Sequence, residues 1–242
     1  MKNKKSIILV IVEGLSDKDA LYPWLSIIGK EINVRFKIMH GDPFSNRKNI
    51  NDSSLDIIDA ILSKFQKISK LTNDDILAIF QLTDTDGVFI PNENVLIDQT
   101  ITKLKYDFDK IFVKDIEHRA EIIQRNEQKS NHLTKLAKVK FFRKSIYQIY
   151  YFSRNLDAVV HNNADLQKSK KISHSEMFSD SFINEIEFAN FFSSGEFAVT
   201  GDYNESWDFI TQGCNSLNRY SNFHLLLASL KSLLEGHGKE SS

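Results

Sequence analysis

The sequence predicts an α/β protein: a mostly parallel, Rossmann-like sheet flanked by helices, with a helical, aromatic-rich C-terminal part. Three observations predict it. Continuous apolar runs at 6–12 and 75–82 read as strands covered on both faces. Segments with apolar residues at helical spacing lie between them, joined by short connections. Breakers are scarce, with 3 Pro and 9 Gly in 242 residues, which favours long regular elements over a turn-dense sandwich.

Taken in order, Ser6–Val12 (SIILVIV) forms the first strand and ends at Glu13-Gly14. Ser16 or Asp17 then caps a helix whose apolar positions Leu21, Trp24, Leu25 and Ile28 share one face. Pro23 predicts a kink or a late start in it. Val34–Met39 alternates as a second strand and closes in the turn His40-Gly41-Asp42-Pro43. Ser53–Leu71 is helical, with Leu55, Ile58, Leu62, Phe65 and Ile68 on one side. Asp75–Leu82 is a further strand, followed by Thr83-Asp84-Thr85-Asp86-Gly87. Helices are expected over Asn94–Phe108 and Asp115–Ala137, the second polar and exposed. Ser145–Phe152 (SIYQIYYF) is another strand, and the chain from Ser173 onward is helical in tendency, fraying over Gly236–Ser242. The domain reading is an α/β unit over 1–161, with a helical insertion around 115–140, and a mainly helical extension over 162–242.

The bulk numbers narrow the function classes. With 41% hydrophobic and 26% charged residues the chain can bury a substantial core. One cysteine, Cys214, leaves no disulfide framework or thiolate cluster and suits a reducing compartment. The apolar run after the basic Met1–Lys5 is too short for a signal peptide, and no stretch reaches membrane-span length. The expectation is a cytoplasmic protein without a membrane partner. Net charge is −1, but between Lys135 and Lys171 nine Lys/Arg stand against two acids, Asp157 and Asp165. A local surplus of this size can track a phosphate backbone, although a solvated helix face has the same composition.

Ligands of open α/β sheets bind at the carboxyl ends of the strands. Glu13, Asp84, Asp86 and Asp157 each follow an apolar run. Glu13 and Asp17 are spaced to share a helical face, while Asp84 and Asp86 are separated by one residue, with Gly87 permitting a sharp exit. Clustered carboxylates repel unless a cation neutralises them, and a hard cation such as Mg²⁺ (or Mn²⁺) needs only a few carboxylates beside its waters. Taken singly, each segment is equally an ordinary strand exit, an N-cap or an Asx turn. Together and in this order they point to a metal.

The segment ILVIVEGLSDKDAL (Ile8–Leu21) resembles the first toprim motif, and ILAIFQLTDTDG (Ile76–Gly87) resembles the second. YYFSRNLDAVVH (Tyr150–His161) is similar to the strand-end Asn-x-x-acid…His segment of RloB-like and abortive-infection toprim proteins, with Asp157 where Glu is commoner. The chain thus resembles the stand-alone toprim nucleases of the overcoming-lysogenization-defect (OLD) and RloB-like type over residues 6–161. That resemblance implies a toprim-like fold and a metal-dependent nuclease. It implies Glu13, Asp84 and Asp86 as catalytic residues, and Glu13, Asp17, Asp84, Asp86 and Asp157 around Mg²⁺ or Mn²⁺. Arg154, Lys168, Lys170 and Lys171 are the candidates for contacting nucleic acid, and His161 is a candidate assistant that serves equally as a structural histidine. It further implies an anti-phage, abortive-infection effector working with an SMC- or ABC-like ATPase, and leaves self-association into a homo-oligomer open.

Two other readings fit the same residues. LTDTDGVFI (Leu82–Ile90) suits a haloacid-dehalogenase-like phosphatase with Asp84 as nucleophile, a Lys near 168–171 and the segment Gly201–Glu205 as later motifs. Alternatively, the chain is a non-catalytic toprim-fold interaction or sensor protein. Its aromatic surplus, with Phe188, Phe191, Phe192, Trp207, Phe209 and Phe223, then serves either the core or a partner surface.

Overall fold

Every residue of β1 (Ile7–Val12) is buried, as its apolar, β-branched composition requires. A computed structural model describes residues 7–30, 33–49, 51–164 and 166–239, so Ser6 at the start of the expected strand lies outside them. After β1 come α1 (Leu15–Ile28), β2 (Asn33–Ile38), α2 (Ser54–Ser69) and β3 (Ile76–Asp84). Short strands β4 (Val95–Ile97), β5 (Lys105–Tyr106) and β6 (Ile111–Val113) precede α3 (Ile116–Leu136). The hairpin of β7 (Phe141–Phe142) and β8 (Ser145–Phe152) leads into α4 (Leu156–His161), α5 (Lys168–Asp180), α6 (Glu185–Ser194), α7 (Tyr203–Ile210) and α8 (Phe223–Lys239).

The main sheet has the order β2-β1-β3-β8-β7. β2, β1, β3 and β8 are parallel, and only the edge strand β7 is antiparallel. Strand parity divides the core into two layers. Ile8, Val10 and Val12 with Ala78, Phe80 and Leu82 face α1, α5, α6 and α8. Leu9 and Ile11 with Ile79, Tyr147 and Tyr151 face α2, the end of α3 and α7. The chain is therefore an α/β protein with a mostly parallel five-stranded sheet between helices. Among the described residues no helix is long and apolar enough to cross a membrane.

The helical C-terminal part joins the same core. Phe178, Phe188, Phe192 and Phe223 pack with the residues of β1 and β3. Trp24 in α1 donates to the Ser179 carbonyl (2.9 Å) and stacks on Phe188. Its aromatic surplus is thus largely interior, although Ile183 and Ile186 remain exposed.

Several expected features change. Asn94–Phe108 is not a helix: Val95–Ile97 pairs with Ile111–Val113, and Lys105–Tyr106 pairs antiparallel with the same strand. The segment's branched residues gain a ladder, while Asp98 turns the chain by accepting the Thr100 amide (2.9 Å). Pro23 neither delays nor ends α1, which runs from Leu15 to Ile28. Burial of Ala20, Leu21, Trp24 and Leu25 opposes the cost of about 3 kcal/mol that an interior proline carries. α3 is not simply an exposed polar helix, since Lys129, His132, Leu133 and Leu136 on it are buried. The helix at the C-terminus continues through Lys239 instead of fraying at Gly236.

Gly87 has φ +70°, and a Cβ added there would sit 2.3 Å from Leu217 Cδ2. Gly87→Ala should therefore lower stability by at least about 2 kcal/mol, from the left-handed backbone and overpacking together. Urea unfolding would measure this, and a wild-type midpoint for the variant would refute the packing described.

Candidate acidic site at the strand ends

The parallel arrangement brings the carboxyl ends of β1 and β3 side by side, and each ends in an acid. Glu13 follows β1 directly, and its Oε1 accepts from the Asp84 amide (3.0 Å) and the Thr83 hydroxyl (2.9 Å) of β3. Gly14 caps α1, and Asp17 in the first turn reaches back to accept the Gly14 amide (2.8 Å). The chain beyond β2 stays paired to β1, with the Gly41 amide donating to the Glu13 carbonyl (3.1 Å). Glu13, Asp17 and Asp84 border one cleft of about 590 Å³, with His40, Gly41 and Lys171 also on its wall.

Asp84 and Asp86 face different surroundings. Pairing to β8 continues past the strand, with the Asp86 amide donating to the Arg154 carbonyl (3.0 Å). Asp86 (φ +50°) and Gly87 (φ +70°) then turn the chain sharply. Asp84 remains at the cleft, whereas Asp86 Oδ2 meets Lys129 Nζ at 2.6 Å. That ammonium, wholly buried, also lies 2.7 Å from Asp42 Oδ2 and 3.8 Å from Glu13 Oε1. Asp157, buried in the first turn of α4, pairs with Lys171 (2.6 Å). Lys171 thus connects Asp157 to the wall of the cleft.

The electrostatics follow from burial. Desolvation pushes the Glu13 carboxyl up to about 8 despite Lys129, and Asp42 and Asp86 add to the rise. Asp84 is driven well above the usual carboxylate range by burial and then by Glu13 and Asp17. Asp17 is raised by burial as well, with the Gly14 amide and Lys171 opposing. Burial would also raise Asp42, but Lys129 together with the Ser45 hydroxyl and the Phe44 amide outweighs it and holds Asp42 low. Desolvation disfavours the Lys129 charge, yet Asp86, Glu13 and Asp42 together hold its pKa well above the usual lysine value. Lys129 thus keeps Asp42 ionised, while at Glu13, Asp84 and Asp17 burial and neighbouring acids favour the protonated form.

No protein-family model matches this chain, and neither a curated protein nor a solved structure matches it.

The donors bordering the cleft fit a hard divalent cation in chemistry. They are carboxylate oxygens, crowded enough that burial and mutual repulsion oppose their ionisation. Among the described residues no three His, Cys, Asp or Glu side chains are already gathered into a ligand cage. Glu13, Asp17 and Asp84 would hold such an ion with water completing its shell, the manner in which Mg²⁺ is commonly bound.

Other expected positions separate. Arg154 sits at φ +57°, with its guanidinium over the Tyr106 ring (4.7 Å). Lys170 is exposed on α5, Lys171 reaches the cleft, and the Lys168 side chain lies outside the described residues. His161 packs against His174 and Phe178, and burial holds its pKa down. In the Gly201–Glu205 segment, Asp202 and Glu205 form a reciprocal cap on α7, accepting each other's amides (2.9 and 2.7 Å). Lys129 and Asp42 were not anticipated. Asp42 reads as a turn residue, and it does accept the Phe44 amide (2.8 Å); nothing in a polar helix distinguishes Lys129 from its neighbours.

Removing a buried ammonium leaves its carboxylates uncompensated. Lys129→Ala should destabilise the fold by about 3–5 kcal/mol, measured by urea unfolding at neutral pH. A loss below about 1 kcal/mol would show that Asp42 and Asp86 do not depend on it.

Proposed function

We propose that this chain is a Mg²⁺- or Mn²⁺-dependent nuclease that cleaves nucleic-acid phosphodiesters. The observation that carries the reading is the convergence of Glu13, Asp17 and Asp84 on one cleft at the ends of two adjacent parallel strands, with Lys171 on its wall. The toprim resemblance of Ile8–Leu21 and Ile76–Gly87 adds the same chemistry from the sequence.

A bound divalent ion supplies Lewis acidity for a phosphoryl oxygen and a lowered pKa for water. The protein's own part is positional and protonic. Glu13 is fixed by the Thr83 hydroxyl and the Asp84 amide, which set its carboxyl beside Asp84 as a ligand for the ion or as an acid–base group for a reacting water. Asp84 and Asp17 bring carboxyl oxygens to the same cleft, which a bound cation would hold ionised, and Lys171 offers a cation to a phosphate entering it. Asp86 supports this arrangement through Lys129. Asp157 orients Lys171, a role consistent with their 2.6 Å contact. The resemblance also favours an anti-phage effector restrained by a partner ATPase of the SMC or ABC type.

Labelled single- and double-stranded DNA and RNA, incubated with Mn²⁺, provide the test. Cleavage by the wild type should fall at least about a hundredfold in Glu13→Ala and in Asp84→Ala. Equal activity in all three proteins would sink the proposal. Loss in Asp84→Ala alone, with phosphatase activity on small phosphate esters, would favour a haloacid-dehalogenase-like enzyme instead.

A further inference from the structure

Beside the Asp84–Gly87 turn lies another pocket, of about 340 Å³, lined in part by Tyr106, Asp107, Phe108, Arg154, Leu217 and Arg219. It is built onto the acidic turn through several bonds. Arg125 donates to both the Asp86 carbonyl (3.2 Å) and the Tyr106 hydroxyl (3.0 Å). Arg154 donates its amide to Thr85 Oγ1 (3.0 Å) and accepts the Asp86 amide through its carbonyl (3.0 Å). Leu217, on the pocket wall, occupies the space that a side chain at Gly87 would need.

The lining combines planar cations with aromatic rings. The Arg154 guanidinium lies over Tyr106, and Arg219 lies over Phe197 at 5.0 Å. Among the described residues Arg219 donates a hydrogen bond from Nε alone, to the Val159 carbonyl (2.8 Å). Phe108, also on the wall, is 66% exposed and presents its ring to solvent. Guanidinium planes and exposed aromatic rings recognise unpaired bases by stacking, and the same guanidinium groups bind phosphate oxygens. A paired base offers no free face to a pocket of this kind.

We infer that this pocket binds one unpaired nucleotide of a single-stranded nucleic acid, with its base against Phe108 and its phosphate on Arg219. The inference deepens the nuclease reading by assigning a strand class, and it rests on that reading for the chemistry at the neighbouring cleft. A strand seated here lies beside the Asp84–Gly87 turn, whose first residue borders the acidic cleft. DNA and RNA share the recognised chemistry.

The test is fluorescence anisotropy in EDTA, which separates strand binding from any metal-dependent step. The probes are a dye-labelled single-stranded DNA 12-mer, the RNA of the same sequence and a blunt DNA duplex. The wild type should bind at least one single strand more tightly than the duplex. Phe108→Ala, at an exposed position, should weaken that binding about tenfold, and Arg219→Ala should do so comparably. Wild-type affinity in a folded Phe108→Ala protein would overturn the inference, as would equal binding of duplex and single strands or no binding at all. Loss of single-strand binding in Phe108→Ala, beside a wild type that cleaves nothing with Mn²⁺, would retain the pocket and discard the nuclease reading.

Discussion

A buried lysine ammonium holds together three segments that would otherwise repel. Lys129 Nζ contacts Asp86 beyond β3, Asp42 beyond β2 and, at longer range, Glu13 beyond β1. Isolated burial of a charge is very costly, and burial of several carboxylates without a cation is no better. Each side supplies what the other lacks, so the loops after β1, β2 and β3 are fixed relative to α3. The geometry of Glu13 follows from this, since its carboxylate is placed between the ammonium and the donors of β3. Mutual dependence of this kind gives little net stability compared with apolar packing. Its effect is to specify where the acids stand.

The ammonium also divides the acids into two groups. Asp42 and Asp86 are in direct contact with a fixed, buried cation, although both carboxylates keep some exposure to solvent. Asp84 and Asp17 lie further from it, and their ionisation is opposed by burial and by Glu13 or Asp157. The cleft is thus where carboxyls stand without a cation in direct contact. Lys171 on its wall is itself paired with Asp157. On the proposed reading, a divalent cation is held at Asp84 and Asp17, beside Glu13.

Much of this architecture was legible in the residues. The runs in β1, β3 and β8 are long enough for their composition to identify them, and their parity gives the two core layers. The acidic strand ends could be named because each follows such a run directly. The three-stranded sheet of β4, β5 and β6 was not legible: its strands are only two or three residues long, shorter than the window in which a period of two can be recognised. Pro23 does not bring the late start it suggests, because local chain preference says nothing about the tertiary burial that opposes it. Lys129 escaped for a deeper reason. Its partners are remote in sequence and become neighbours only through the parallel order of the sheet, so a charge in a polar helix looked solvated.

The turn Asp84–Gly87 shows how few residues link these levels. Thr85 is buried and donates to the Ser216 carbonyl (2.9 Å), so the chain between the two aspartates is fixed to the C-terminal part. Asp86 faces Lys129 from α3, while its amide and carbonyl engage Arg154 and Arg125. Gly87 then allows Leu217 to close against the turn. Asp84 is therefore positioned by backbone held from both sides, not by its own side-chain bonds. Rigid support leaves its carboxylate available to the cleft, and places the two arginines and the exposed aromatic ring beside the turn. Asp84 at the cleft and the Asp86 contacts to Lys129, Arg154 and Arg125 arise from the same short stretch of chain, where two consecutive left-handed residues turn the backbone sharply.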